Sequence, residues 1–385
     1  MAESWPLTAS SVKNLKSKMA RSKILRPLAA LFGMGVTLRG TAYRRGWLRP
    51  RRLNRPVVSV GNLSVGGTGK TPLVMLIAEL LFRQGWNPGI LTRGYGRRRG
   101  AKTIVLAPDG ARSPSPRDVG DEPALLARAL PQVPIVVCAN RYQGGRVAEG
   151  RFDVGVHILD DGFQHRALAR DVDVVTLDAT QEPAEEVLLP VGRLREPPSA
   201  LARAHLVVIT RVELVDPQPL EDRVRRINPR AEIFHAATQL CELVDIQTGR
   251  IYPPDAFQGE PVEAYCGIGN PKAFFADLRM WGFSVVDEHS FPDHHVHTAA
   301  TLLVLNSVIR KSRPAALVTT EKDAMNLLEI PAIGRFAEKV AMSLRPLKTV
   351  AEVPILACVI RSELRDRQAF EEALFARLGV ARPTN

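Results

Sequence analysis

A chain of 385 residues carries a net charge of +12, with 45% hydrophobic and 24% charged residues. That balance describes a folded globular protein long enough for two domains, and excludes a disordered or fibrous chain. The charge sits at one end: residues 1–55 hold thirteen Lys/Arg and one acid, Glu3, while the remaining 330 hold 39 of each sign. A neutral body leaves no basic surface to follow a nucleic-acid backbone, so nucleic acid is disfavoured as a partner. Cys138, Cys241, Cys266 and Cys358 show no CxxC spacing, which argues against a zinc site or disulfide framework and fits a reducing cytosol.

The basic arm runs from Lys13 through Lys23 and Arg26, then an apolar stretch Pro27–Leu38, then Arg44, Arg45, Arg49, Arg51, Arg52 and Arg55. Twelve apolar residues are too few to cross a bilayer, which takes about 20. The apolar run starts late and lacks a small-residue cleavage site, which disfavours a signal peptide. A basic amphipathic segment in the headgroup layer of an anionic membrane fits the pattern. The competing account is an ordinary helix packed on its own domain with a solvated basic rim.

At residue 57 the pattern changes. Val57-Val-Ser-Val-Gly-Asn62 reads as a buried strand, Leu63 to Gly69 as a glycine-rich turn, and Leu73, Leu76, Ile77, Leu80 and Leu81 as a helix face. Strand, glycine loop, Lys70-Thr71, helix is the layout of a phosphate-binding loop. Residues Ser64, Val65, Gly66, Gly67, Thr68, Gly69, Lys70 and Thr71 would cradle a nucleoside triphosphate, Lys70 on the β/γ-phosphates and Thr71 on Mg2+. The full signature has Gly where this chain has Ser64.

Further strands are expected at Pro88–Leu91, Thr103–Leu106, Ile135–Cys138, Val154–Leu159, Val172–Leu177 and Leu206–Thr210. Helices are expected over Asp118–Leu130 and from about Tyr142. The basic loop Arg93-Gly-Tyr-Gly96 falls at a strand's carboxyl end, where ligands bind in open α/β sheets, and so places Arg93 near a phosphate or in a solvated loop. Val154–Leu159 runs into Asp160-Asp161-Gly162. One of these aspartates would hold the Mg2+ water shell opposite Thr71; the alternative is a strand-ending Asp capping a turn. Strands alternating with helices to residue 210 give an α/β, P-loop NTPase-like doubly wound parallel sheet.

After Pro217 the periodicity weakens. Residues 226–260 read as a two-stranded β linker, with extended pieces at Glu232–His235 and Leu243–Ile246, joining a second, smaller α/β domain over 261–385. The division is thus 1–55 arm, 56–225 P-loop domain, 226–260 linker and 261–385 second domain. The second domain is expected to contain strands Val262–Cys266, Ser284–Asp287 and Ala316–Thr319. Its helices run to Trp281, near Ala299–Arg310 and from about Arg365. A histidine cluster, His289 to His297, admits a zinc site, a His orienting a carboxylate, or a plain polar loop.

Seven short motifs in one order make the chain resemble the tetraacyldisaccharide 4′-kinases, the lipid A 4′-kinases of Gram-negative bacteria. They are Gly61–Thr71, Arg93-Gly-Tyr-Gly96, Gly120-Asp-Glu-Pro123, Asp160-Asp-Gly-Phe-Gln-His165, Leu194-Arg-Glu-Pro197, Phe291-Pro-Asp-His294 and Thr320-Glu-Lys-Asp323. That family carries Ser or Thr at the Ser64 position. The resemblance implies transfer of the ATP γ-phosphoryl group to the 4′-hydroxyl of an acylated glucosamine disaccharide 1-phosphate, giving lipid IVA. It implies Asp121 as catalytic carboxylate paired with His294, where sequence rules alone make Asp121 a helix N-cap. It also makes Asn62, Arg93 and Arg195 candidates for the substrate or ATP phosphates, and Glu196 an aid to the metal. The implied partners are the acylated disaccharide phospholipid and an anionic membrane surface, at the cytoplasmic face of the bacterial inner membrane, with no obligate protein partner evident.

The rival class is a membrane-recruited P-loop NTPase switch or metallochaperone. Guanine specificity is disfavoured, because Thr320-Glu-Lys-Asp323 sets Lys and Asp adjacent instead of two apart.

Overall fold

The structure is a computed structural model that describes residues 9–97, 103–108, 115–181, 187–293, 295, 297, 301, 313–328 and 353–379, with side chains from residue 25 onward. It opens with a long helix, α1 (Ala9–Arg44), and then lays down β1 (Val57–Asn62), α2 (Lys70–Arg83), β2 (Pro88–Thr92) and β3 (Thr103–Leu106). There follow α3 (Pro116–Val119), α4 (Asp121–Ala129), β4 (Ile135–Cys138), α5 (Arg141–Arg151), β5 (Val156–Asp160), β6 (Val172–Asp178), β7 (Leu206–Thr210) and α6 (Gln218–Ile227). The remainder is β8 (Glu232–Asp245), β9 (Ile251–Tyr252), β10 (Pro261–Cys266), α7 (Pro271–Met280), β11 (Ser284–Ser290), β12 (Ala316–Thr320), α8 (Glu321–Leu328), β13 (Ile355–Leu364) and α9 (Arg367–Leu378).

The strands form one sheet in the order β11-β10-β12-β13-β8-β7-β6-β1-β5-β2-β4-β3, with β9 beside β8. From β8 to β4 the neighbours are parallel, and so are those from β11 to β13; β13 meets β8 antiparallel, and β3 closes the far edge antiparallel to β4. All six residues of β1 are buried, as a β-branched run covered on both faces requires. Val58 and Val60 face one core with α2 and α4, while Val57 faces another with Leu53, Leu91 and Leu159. Helices on both faces make the wing doubly wound.

Two expectations change. Residues 226–260 contain one fourteen-residue strand, β8, with only the two-residue β9 paired back onto it, in place of a two-stranded linker. β8 pairs with β7 through Ala236 and with β13 through Asp245, so it is a shared member of the sheet. The C-terminal helix, expected to complete the second domain, returns to the first wing. Phe370, Leu374 and Leu378 are buried in the core that holds α2, and Phe370 meets Phe234 edge-on at 5.2 Å. The expected helix near Ala299–Arg310 lies outside the described residues, apart from Thr301.

Register then decides where chemistry can happen. β7 ends at Thr210, level with Ala236 of β8; β12 ends at Thr320, level with Cys358, which pairs with Leu243. The two wings run in opposite senses, so their carboxyl edges face each other across β8, seven residues or roughly 23 Å apart along the strand. Loops leaving both edges enter one cleft, the place where open sheets bind ligands.

Candidate active site

Loop 64–71 leaves β1 into that cleft. Gly66 and Gly69 adopt φ of 116° and 77°, the left-handed conformations a phosphate-cradling turn needs, and α2 begins at Lys70 directly after Gly69. Ser64 is not among the left-handed residues, so Gly is not required there. Its hydroxyl donates to Gln181 Oε1 at 3.2 Å. The loop is braced by segment 187–197: Val65 N–H donates to the Arg193 carbonyl at 2.8 Å, and Arg195 N–H to the Leu63 carbonyl at 2.7 Å. Asn62, buried at the base, donates to Thr68 Oγ1 at 2.9 Å, and Thr68 is joined to Thr176 at 2.9 Å. Asn62 thus holds the loop from inside, where the resemblance implied a contact with substrate.

Asp160 closes β5 next door and is 1% exposed. Burial pushes its carboxyl up to about 7, Glu122 and Asp161 adding to that, against the hydroxyl of Thr92 donating at 2.9 Å and the charge of Lys70. Asp161 behaves oppositely. Burial alone would raise it, but Lys70 at 3.5 Å and Arg195 at 2.6 Å outweigh that and hold it below the usual carboxylate range. The pair therefore splits into a carboxyl short of positive charge and one saturated with it. Asp160 with the Thr71 hydroxyl is the donor set that suits Mg2+, which takes one or two carboxylates and completes its shell with water and phosphate oxygens. Glu196, expected to assist the metal, is turned away: both its oxygens accept from Arg203, at 2.9 and 3.0 Å.

The expected helix 118–130 breaks at Gly120 into α3 and α4, which puts Asp121 at the first helical position of α4 with Glu122 behind it. The Tyr95 carbonyl lies against Gly120, bringing the Arg93 loop onto this helix start; the Arg93 side chain itself is exposed. Glu122 lines the same cavity, of about 190 Å³, as Lys70, Arg195 and Lys322. His294 lies outside the described residues. Its neighbours are tied down: His295 stacks on Phe291 at 4.7 Å, and buried His297 reaches Asp323 at 3.1 Å. Asp323 also accepts from Gly267 N–H at 2.9 Å and from Thr320 Oγ1 at 2.7 Å. The Thr320 hydroxyl caps the start of α8, accepting from Asp323 N–H at 3.1 Å, and Asp323 ties in the histidine loop. Among the described residues no group of three or more His, Cys, Asp or Glu is arranged to hold a metal ion.

Sequence reasoning missed a cationic group beside the aspartates. Arg141 is buried, with its Nε unpartnered, and burial lowers its pKa while Asp160 and Asp161 raise it. His165 is pushed down to about 4 by burial and then by Arg141, Arg170, Arg39 and Arg93. Arg141, Arg170, Arg39 and Arg93 thus give this loop end a positive potential. The four arginines come from four separate stretches of chain, so no local motif announces them.

The family model described as tetraacyldisaccharide-1-P 4′-kinase matches residues 21–378. The chain belongs to that family. Curated relatives named tetraacyldisaccharide 4′-kinase include one from Koribacter versatilis, 44% identical over 80% of this chain and 89% of its own length. Another, from Syntrophus aciditrophicus, is 35% identical over 87% and 92%. A solved structure of LpxK from Aquifex aeolicus, described as an "apo" form in complex with ATP, is 28% identical. It has a TM-score of 0.67 and covers 93% of this chain and 99% of that one. The tetraacyldisaccharide 4′-kinases are phosphotransferases of lipid A biosynthesis, so the switch and metallochaperone readings fall away.

Proposed function

We propose that this member of the family binds ATP on loop 64–71 and passes its γ-phosphoryl group to the 4′-hydroxyl of a tetraacylated disaccharide 1-phosphate, working at a membrane surface. The observation that carries the reading is the convergence in one cleft of loop 64–71, the carboxylates at the end of β5 and the start of α4. In this reading Lys70 holds the β/γ-phosphates, and Thr71 and Asp160 would hold Mg2+, which would neutralise charge developing on the transferred group. Asp121 takes the proton from the attacking hydroxyl and His294 orients it. Arg141 with Arg93 receives the 1-phosphate, while Arg195 keeps Asp161 ionised beside Lys70.

The arm fits a peripheral attachment at the cytoplasmic face of the inner membrane. Ala29 and Gly33 lie on the inner side of α1, with Leu188 against Gly33, while Leu28, Leu31, Met34 and Leu38 are more than half exposed. The end of α1 reaches the site, where Arg166 donates to the Gly40 carbonyl at 3.2 Å and covers the Tyr43 ring. An apolar helix face beside the acceptor site would let an acylated substrate stay in its leaflet. No helix among the described residues is long and apolar enough to cross a membrane.

The test is direct. The protein is incubated with γ-labelled ATP, Mg2+, detergent and tetraacyldisaccharide 1-phosphate, and label is sought in the lipid. Transfer to the 4′-position is expected; hydrolysis of ATP with unlabelled lipid would reject the proposal.

A further inference from the structure

A phosphate-binding loop points its N–H groups inward, so its carbonyls point outward and must find donors of their own. Here Arg193 Nε donates to the Val65 carbonyl at 3.0 Å, and two consecutive residues at the end of β7 supply two more donors. Thr210 Oγ1 donates to the Thr68 carbonyl at 3.3 Å, and Arg211 Nη1 to the Gly67 carbonyl at 3.3 Å. Arg211 manages this in an uncommon backbone state, φ 58°, where a side-chain-bearing residue is strained. Its guanidinium is 8% exposed and meets two carboxylates: Asp178 of the first wing at 2.7 Å and Asp277 of α7 at 3.4 Å.

Among the described residues, Asp277 is the carboxyl that the second wing brings to Arg211. It is 2% exposed, and its Oδ1 has no hydrogen-bond partner. A half-satisfied buried carboxylate is a poor packing element, and the cation it pairs with among the described residues is the arginine holding the loop. A second tie runs parallel to it: Asn270, at the start of α7, donates to Asp178 Oδ2 at 2.9 Å. Between them Gly269 lies against the loop so closely that a Cβ there would stand 2.2 Å from Gly66 Cα.

We propose that Arg211 is a positioning residue for the phosphate-binding loop and that Asp277 completes it from the opposite wing, so that loop 64–71 holds its anion-binding shape only while α7 is docked. The latch couples closure of the cleft to nucleotide affinity without touching the reacting atoms. It rests on the assignment of loop 64–71 as the triphosphate site. A loop competent for only part of the time binds more weakly in proportion, yet turns over normally once filled.

The experiment titrates Asp277→Asn with a non-hydrolysable ATP analogue and Mg2+, and measures steady-state kinetics on the lipid. The expected result is a dissociation constant and a KM for ATP that rise together about tenfold, with kcat at saturating ATP and KM for lipid unchanged. Arg211→Lys, which keeps the charge but not the forked donors, is expected to shift the same two constants. Arg211→Met with Asp277→Leu removes both charges, and is expected to keep the weak nucleotide binding even where thermal stability is regained. Wild-type affinity in that double variant, an unchanged dissociation constant in Asp277→Asn, or a fall in kcat alone would each overturn the latch. Wild-type protein that does not bind the analogue would instead overturn the assignment of the loop.

Discussion

At the scale of single residues, Asp160 and Asp161 show how neighbours with one side-chain chemistry take separate roles. The sequence could not divide them, because the division comes from Lys70 and Arg195 lying beside one and Glu122 beside the other. Asp121 stands at the amino-terminal, positive end of α4. Asp121→Asn keeps the side chain's size and removes its basicity. We expect kcat to fall by roughly 10²–10⁴-fold with nucleotide binding retained; near-normal turnover would remove Asp121 as the base. His165 yields a pH prediction. Its folded pKa, about 4, lies below the ordinary value of 6.5 for the unfolded chain, so between these the unfolded state binds more protons. The neutral imidazole's contribution to stability is whole above pH 6.5 and is lost as pH falls toward 4. Melting temperatures of wild type and His165→Gln, measured from pH 8 to 4, should therefore converge on acidification; parallel curves would count against it.

At the scale of elements, α1 is the clearest case of a pattern that sequence could describe but not orient. Its apolar run, Pro27–Leu38, was legible, and so was its basic flank. Which face packs was not, since small residues such as Ala29 and Gly33 carry little hydrophobic signal and are nevertheless the ones that allow close approach to Leu188. Replacing Leu31, Met34 and Leu38 with Glu alters only the outer face. Co-sedimentation with anionic liposomes should drop sharply, since each buried side chain of this size contributes about 1.5–3 kcal/mol, while activity on detergent-dispersed substrate should survive. Unchanged sedimentation would make α1 a packing element only. β13 was missed altogether, although Ile355–Ile360 is an apolar run of strand length, because such a run does not by itself separate strand from buried helix.

At the scale of the whole molecule, the sheet runs unbroken from β11 to β3, and α9 crosses back to pack on the wing that the chain built first. The two wings therefore share β8, β13 and α9 and should unfold together. Urea denaturation followed by circular dichroism and by tryptophan fluorescence should give one coincident transition. Two separated transitions would restore an independent second domain. Phe370→Ala should lower the single midpoint by about 3–5 kcal/mol of stability, because Phe370 is fully buried against Phe234.

What the sequence determined by itself was local: the strand-loop-helix of 57–81, the aspartates ending β5, and a parallel α/β wing, all written in β-branched runs, glycine spacing and helical period. Its seven ordered motifs also carried the family. What only tertiary structure decided was non-local. The register along β8 turns two carboxyl edges toward one cleft. Arg211 meets Asp277 across a long stretch of chain. Glu196 turns to Arg203 and Asn62 to Thr68, each drawn by a partner that no spacing rule predicts. A buried charge or amide takes whichever donor or acceptor the packed fold leaves within reach, and that is settled only when the sheet has closed.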